Sequence, residues 1–197
     1  MRISNGAEAN VYKSNILGID CIVKVRQRKS YRIQSLDNQI REQRTKTEAR
    51  ILAYARSCGI TVPSLLLVSK YGITMGFIEG KLLSEIDANK NEYLKQAGVL
   101  LGMLHNNNIA HGDFTPANIM VFNNKLFIID FGLSEIIDSI EQKALDILLM
   151  KRSIGPKGFG IFISSYKKSS KGQKLIIKKL NELEMRGRYQ QRSLQNI

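Results

Sequence analysis

The order of patterns along the chain predicts an α+β fold in two lobes. Three observations carry this reading. Residues 1–26 alternate apolar with polar side chains, residues 37–57 run without Gly or Pro, and the chain beyond Gly132 is helical in character. Side chains repeat every second residue in a strand and about every 3.6 residues in a helix. Strands with one helix therefore come first and mainly helices follow, which separates a sheet-rich part from a helical part.

Gly6 and Gly18 divide the first stretch into three short strands: one before Gly6, one near Asn10–Ser14 and one at Ile19–Val25. The long basic helix over 37–57 places Ile40, Thr47, Ile51 and Tyr54 near one face. Leu65–Ser69 and Ile73–Ile78, joined through Lys70–Gly72, read as a hairpin. Residues 91–108 form a second helix with Leu94, Ala97, Leu101 and Leu104 on one stripe. In "IMVFNNKLFIID" two apolar strands flank Asn123-Asn124, a residue type that tolerates positive φ in a tight turn. Helices are expected at 139–152, about 158–168 and 172–186, with a polar tail behind. The 197 residues are read as a single domain, with lobes at 1–78 and 79–185 and a basic tail at 186–197.

No apolar run reaches the roughly 20 residues that span a bilayer. The N-terminus lacks the basic-then-apolar pattern of a signal peptide. Cys21 and Cys58 are isolated and the chain has two histidines, so a reduced, cytoplasmic setting without structural zinc is expected. The net charge of +13 is unevenly placed. Residues 24–56 hold ten Lys/Arg against three acidic residues, and 164–197 hold nine against two; the remainder is nearly neutral. Charge concentrated in this way points to a polyanion, RNA first, with a solvated Lys-rich surface as the other reading.

The chemistry-bearing stretch is "HGDFTPANIM", residues 111–120. Asn118 follows Asp113 by five residues, and the hairpin then runs into Asp130-Phe131-Gly132. Two carboxylates and an amide at loop and strand ends form a site for Mg²⁺ and phosphate, because Mg²⁺ takes oxygen ligands and keeps waters. A remaining carboxylate can orient a nucleophile and accept its proton.

H-x-D-x-x-x-x-N followed by D-F-G resembles the catalytic core of the protein-kinase superfamily. The resemblance implies a small bilobal kinase-like fold that uses ATP and Mg²⁺. In it, Asp113 is the catalytic base or nucleophile-orienting residue, and Asn118 and Asp130 are metal ligands. His111 supports the loop. "ISNGAEANV" falls in the register of the family's Gly-rich loop with only the central glycine kept, which places Asn5, Gly6, Ala7, Glu8, Ala9 and Val11 over the nucleotide. Lys24, in "CIVKV", meets the ATP phosphates, held by Glu48 in preference to Glu42. "ITMGFIEG" resembles the lobe-connecting hinge, with Met75 behind the adenine and backbone groups of Gly76 and Ile78 on its edge. Asp146, in "KALDI", resembles the helical Asp that braces the catalytic loop.

The departures narrow the family. Gly112 stands where regulated kinases carry an arginine, and thirteen residues between Gly132 and Asp146 leave no room for an ordinary activation segment. "NGAEA" at 5–9, "RKSYR" at 28–32, "RTKTEA" at 44–49, "DFGLS" at 130–134 and "RGRYQQR" at 186–192 are together similar to the small atypical kinase/ATPase of the KEOPS (EKC) complex. That resemblance implies ATP hydrolysis in support of threonylcarbamoyladenosine formation at position 37 of ANN-decoding tRNAs, and phosphorylation of itself or other proteins on Ser/Thr. It implies three partners: the threonylcarbamoyl transferase subunit, a small KEOPS subunit at the N-lobe, and tRNA, for which Arg186, Arg188 and Arg192 are candidate contacts. No membrane partner is expected. The alternatives are a RIO-type kinase of ribosome maturation, a small-molecule kinase and a non-catalytic scaffold. The full set of Lys24, Glu48, Asp113, Asn118 and Asp130 argues against the last.

Overall fold

The computed structural model describes residues 2–5, 9–88 and 90–195, with side chains over 9–88 and 90–186. Gly6, Ala7 and Glu8, expected over the nucleotide, lie outside the described residues. Strands β1 (Arg2–Asn5), β2 (Ala9–Ile16) and β3 (Ile19–Arg26) form a meander. β4 (Leu65–Val68) and β5 (Gly72–Gly76) complete a five-stranded antiparallel sheet in the order β1-β2-β3-β5-β4. The β2–β3 turn places Leu17 and Gly18 at φ 51° and 84°, which fits its two-residue length.

Helix α1 (Gln34–Ser57) packs beside β4 and β5, and its inward face differs from the apolar stripe expected. Tyr54 is exposed, Ile40 and Thr47 are half-buried, and of that stripe only Ile51 is buried. The buried side chains are Asp37, Thr45, Glu48, Ala49, Ile51, Leu52 and Ala55. The first two-thirds of α1 thus turns polar groups inward: Asp37 pairs with Arg41 and Arg32, Thr45 donates to the Arg41 carbonyl, and Glu48 meets Lys24 and Arg26 of the sheet. The other half enters the main hydrophobic core with Ile51, Leu52 and Ala55.

That core lies around α2 (Lys90–Asn106), whose Leu94, Ala97, Leu101 and Leu104 are buried as the stripe predicts. β6 (Lys81–Leu82), β8 (Ile119–Phe122) and β9 (Lys125–Ile128) form a three-stranded sheet over it, with Asn123 and Asn124 at φ 48° and 58° in the expected turn. β6 was not legible, nor was the pairing of β7 (Ile109–Ala110) with β10 (Glu135–Ile136). Two residues are too few to show a period. Helix α3 (Ile140–Ser169) is broken at Gly155, φ 69° and ψ 175°, just before Pro156, which agrees with the two helices expected there. Helix α4 runs from Gln173 to Gln195, beyond the expected end at 186. The "tail" is rich in Arg and Gln, good helix formers, and continues the helix. No helix of the described residues is long and apolar enough to cross a membrane. The whole is an antiparallel-sheet N-lobe on a helical C-lobe.

Candidate active site

β3 and α1 bring three charged groups together, and Asp130, just after β9, adds a fourth. Lys24 and Arg26 stand two apart on β3, so both point to the same side of the sheet. Lys24 Nζ lies 2.7 Å from Glu48 Oε1 and 2.8 Å from Asp130 Oδ1, joining the sheet, the helix and the C-lobe. Arg26 Nη2 donates to the other Glu48 oxygen, Oε2, at 2.5 Å. Burial opposes the Lys24 ammonium, but the charges of Glu48 and Asp130 outweigh it and hold its pKa above the ordinary value. Burial would likewise raise Asp130; the Lys24 charge and hydrogen bonds from Lys24 and the Gly132 N–H hold its carboxyl below the usual range. Glu42, the competing partner, instead pairs with Lys46 and Lys70 at the surface.

The catalytic-loop candidate hangs from Asp146, which is fully buried on α3. Its carboxylate accepts from the His111 N–H (2.7 Å) and the Gly112 N–H (2.8 Å). His105 Nε2 lies 3.2 Å from the same carboxylate and its Nδ1 lies 2.8 Å from the Tyr166 hydroxyl. Burial lowers the His105 pKa and keeps the ring neutral, so Nε2–H donates to Asp146 and Nδ1 accepts from Tyr166. Burial raises Tyr166 to about 12, so it remains a donor. Gly112 has φ +78°, and a Cβ there would overlap the Leu133 carbonyl. No arginine fits at this position, which explains the departure seen in the sequence.

Asn118 Nδ2 donates to the Asp113 carbonyl (2.9 Å) and to Asp113 Oδ2 (2.8 Å), so its amide oxygen is turned from Asp113. The Asp113 N–H donates to His111 Nδ1 at 3.3 Å. The His111 proton therefore sits on Nε2, a buried atom without a hydrogen-bond partner, and burial lowers the ring's pKa. Edge-on to Phe114 and against Phe131, His111 packs the loop. Beyond Gly132 the short segment is tied down throughout. Ser134 Oγ donates to the His111 carbonyl (2.8 Å), the Ile137 N–H to the Asn108 carbonyl (2.7 Å), and Lys143 Nζ reaches Asp138 Oδ1 (2.7 Å) and Asn108 Oδ1 (2.9 Å).

A cavity of about 540 Å³ opens between the lobes, a volume suited to a nucleotide. Val11, Lys24, Met75, Gly76, Ile78, Asn118 and Asp130, all singled out in the sequence, line it together with Ile22, Phe77, Met120 and Ile129. The Gly76 N–H is taken by the Ser64 carbonyl (2.8 Å) and that of Phe77 by the Asp20 carbonyl (3.0 Å). Asn5 pairs with Asn10 across β1 and β2, and Ala9 with Arg26 across β2 and β3. Among the described residues no three His, Cys, Asp or Glu side chains form a metal-holding group. Both close contacts of Asp130 fall on Oδ1. With the Asn118 amide oxygen this is a sparse oxygen set, which fits a Mg²⁺ that keeps waters and phosphate oxygens and does not fit a protein-caged metal.

A RIO domain is matched over residues 7–151. The chain is 36% identical to the KEOPS complex subunit Bud32 of Pyrococcus abyssi, over 97% of each chain. The chain belongs to the Bud32 family. It is also 38% identical to the probable bifunctional tRNA threonylcarbamoyladenosine biosynthesis protein of Methanobrevibacter smithii, covering 95% of this chain and 36% of that one. It thus spans about a third of the length of such bifunctional relatives. Among solved structures, the Rio2 kinase–ADP/Mg²⁺–phosphoaspartate complex of Chaetomium thermophilum is similar, with TM-score 0.66, 18% identity, and 98% and 70% of the two chains covered; that likeness shows the fold. The contrast drawn from sequence between KEOPS and RIO kinases therefore disappears at the level of the domain: this Bud32-family chain carries a RIO domain. Sequence reasoning missed Arg26 and His105. Arg26 was legible only through the period-two register with Lys24; His105 was concealed as the residue next to Leu104 on an apolar helix.

Proposed function

We propose that the chain is an ATP-dependent phosphotransferase/ATPase acting in tRNA threonylcarbamoyladenosine formation as a KEOPS subunit. The observation that carries this reading is Lys24 bridging Glu48 and Asp130 at the wall of a nucleotide-sized cavity that Asn118 also lines. In it, Met75 backs the adenine, and the Gly76 carbonyl and Ile78 N–H read its edge. Lys24 binds the phosphates, and Asn5, Gly6, Ala7, Glu8, Ala9 and Val11 cover the nucleotide. Asp130 and Asn118 hold Mg²⁺, which screens phosphate charge. Asp113 orients the acceptor, water or a Ser/Thr hydroxyl, and takes its proton. The partners are the threonylcarbamoyl transferase subunit, the small KEOPS subunit at the N-lobe, and ANN-decoding tRNA modified at position 37, all in the cytoplasm. Lys167 and Lys168 at the end of α3, Lys171 in the turn, and Lys174, Lys178 and Arg186 on α4 are exposed, which supports tRNA contact by the second basic block. The side chains of Arg188 and Arg192, the other proposed contacts, lie outside those described.

The test is reconstitution of the chain with KEOPS partner subunits, tRNA and ATP, reading both hydrolysis and the modified nucleoside. Asp130→Ala should abolish both. The triple substitution R186A/R188A/R192A should lower tRNA-stimulated hydrolysis and leave basal hydrolysis intact. Undiminished nucleoside formation with Asp130→Ala would contradict the proposal, as would activity confined to ribosome precursors.

A further inference from the structure

Glu48 is held at both oxygens by two cations of one strand, and the second of these has no counterpart in the roles assigned so far. Arg26 is 5% exposed and donates to Glu48 Oε2, while Lys24 holds Oε1. Arg26 is itself held: its N–H donates to the Tyr71 carbonyl at 2.8 Å, and its carbonyl accepts from Arg41 Nη1 at 3.5 Å. Arg41 is clamped by Asp37 (2.7 Å) and lies over the Tyr71 ring, 3.9 Å from its centroid. Arg26 does not line the nucleotide-sized cavity, whereas Lys24 does. Its Nη2 is engaged by Glu48 Oε2, close to Gly132 and behind Lys24 Nζ and Asp130 Oδ1.

We infer that Arg26 is a positioning residue that keeps Glu48 neutralised, so that Lys24 is free to exchange Asp130 for nucleotide phosphate. This rests on the proposed ATP reading. Lys24, Arg26, Glu48 and Asp130 form a set of two cations and two anions. When Asp130 turns to a metal and the Lys24 ammonium turns to phosphate, Glu48 shares Lys24 with a far stronger anion. A buried carboxylate losing its countercharge is unfavourable. With Arg26 in place, Glu48 stays paired at one oxygen, and helix α1 stays where it is. The lower half of α1 is fixed independently, because Ile51, Leu52 and Ala55 belong to the same hydrophobic cluster as Phe131, next to Asp130. The helix is thus held at Glu48 by two cations and over Ile51–Ala55 by the core, without help from a phosphorylated segment. This matches the tied-down chain between Gly132 and α3.

The test compares wild type, Arg26→Met and Arg26→Lys for binding of adenosine and of a non-hydrolysable Mg²⁺–ATP analogue by calorimetry. Adenosine has no phosphates and does not require Lys24. Arg26→Met should weaken the triphosphate analogue at least tenfold and change adenosine affinity less than twofold. Arg26→Lys should recover most of the loss. In a Lys24→Met background Arg26→Met should add less than a twofold effect, because Arg26 acts through Lys24. The inference is overturned by unchanged triphosphate affinity, by equal losses for both ligands, or by a full effect in the Lys24→Met background, which would mean direct phosphate contact. Should Arg26→Met not fold, R26M/E48Q removes both buried charges; triphosphate affinity restored to the wild-type level bears the role out, because Glu48 then needs no neutralising cation, and a tenfold loss that persists in the double variant refutes it. If wild type binds the analogue and Arg26→Met is silent, only this inference falls. If wild type binds neither ligand, the ATP reading falls with it.

Discussion

Asp146 organises the candidate catalytic loop at the level of single atoms. One carboxylate collects two backbone N–H groups and a neutral histidine, and that histidine is in turn held by Tyr166 and, through its hydroxyl, Ser170. The arrangement makes stability depend on pH. The ordinary His pKa is 6.5 and the folded value of His105 is lower, because burial disfavours the imidazolium more than Asp146 stabilises it, and Lys143 adds repulsion. Below about pH 6.5 the unfolded chain takes up a proton that the folded chain refuses, so stability falls as pH falls. Urea unfolding between pH 8 and 5 should show a plateau above about pH 7.5 and a decline below 6.5, at up to about 1.4 kcal/mol per pH unit for each histidine. His111, also lowered by burial, adds to the same slope. A flat profile would show that neither ring is buried neutral. Lys24, Asp113, Asn118 and Asp130 were legible because fixed spacings carry them. Arg26 and His105 were not, because their partners lie 22 and 41 residues away and only folding brings them together.

At the level of elements, the packing of α2 on α3 depends on two glycines a helical turn apart. A Cβ at Gly98 would overlap the Phe162 carbonyl and crowd the Tyr166 nitrogen; one at Gly102 would overlap Ser169 Oγ. The two backbones approach this closely, and Phe162 and Tyr166 reach the core from α3. Gly98→Ala gains about 1 kcal/mol of helix propensity, but backbone cannot yield as a side chain does. The substitution should destabilise the chain by about 2 kcal/mol net, read as a lower Tm in thermal unfolding; a raised Tm would refute the close approach. Apolar periodicity located α2 correctly because its neighbours are apolar. It misread α1, where Asp37 and Glu48 are buried against charged partners and Thr45 against a backbone carbonyl. A hydrophobic pattern reports burial against hydrocarbon and is blind to burial against ions.

For the whole molecule, the two basic blocks have different fates. In the first, Lys24, Arg26, Arg32 and Arg41 have acidic partners within the fold, so part of its charge is structural. The second leaves a row of exposed lysines along α3 and α4. The total charge was legible in the sequence, but not this division, which depends on where Asp37 and Glu48 point. With Glu48 of α1 paired to Lys24 and Arg26 and the segment after Gly132 folded back on the C-lobe, Lys24, Asn118 and Asp130 line one cavity. The most direct test of this account is single-turnover ATP hydrolysis with Mg²⁺ by wild type and Asp113→Asn. Asp113→Asn should slow turnover at least about 100-fold, with the affinity for ATP kept within threefold. Hydrolysis by Asp113→Asn within threefold of wild type would contradict it.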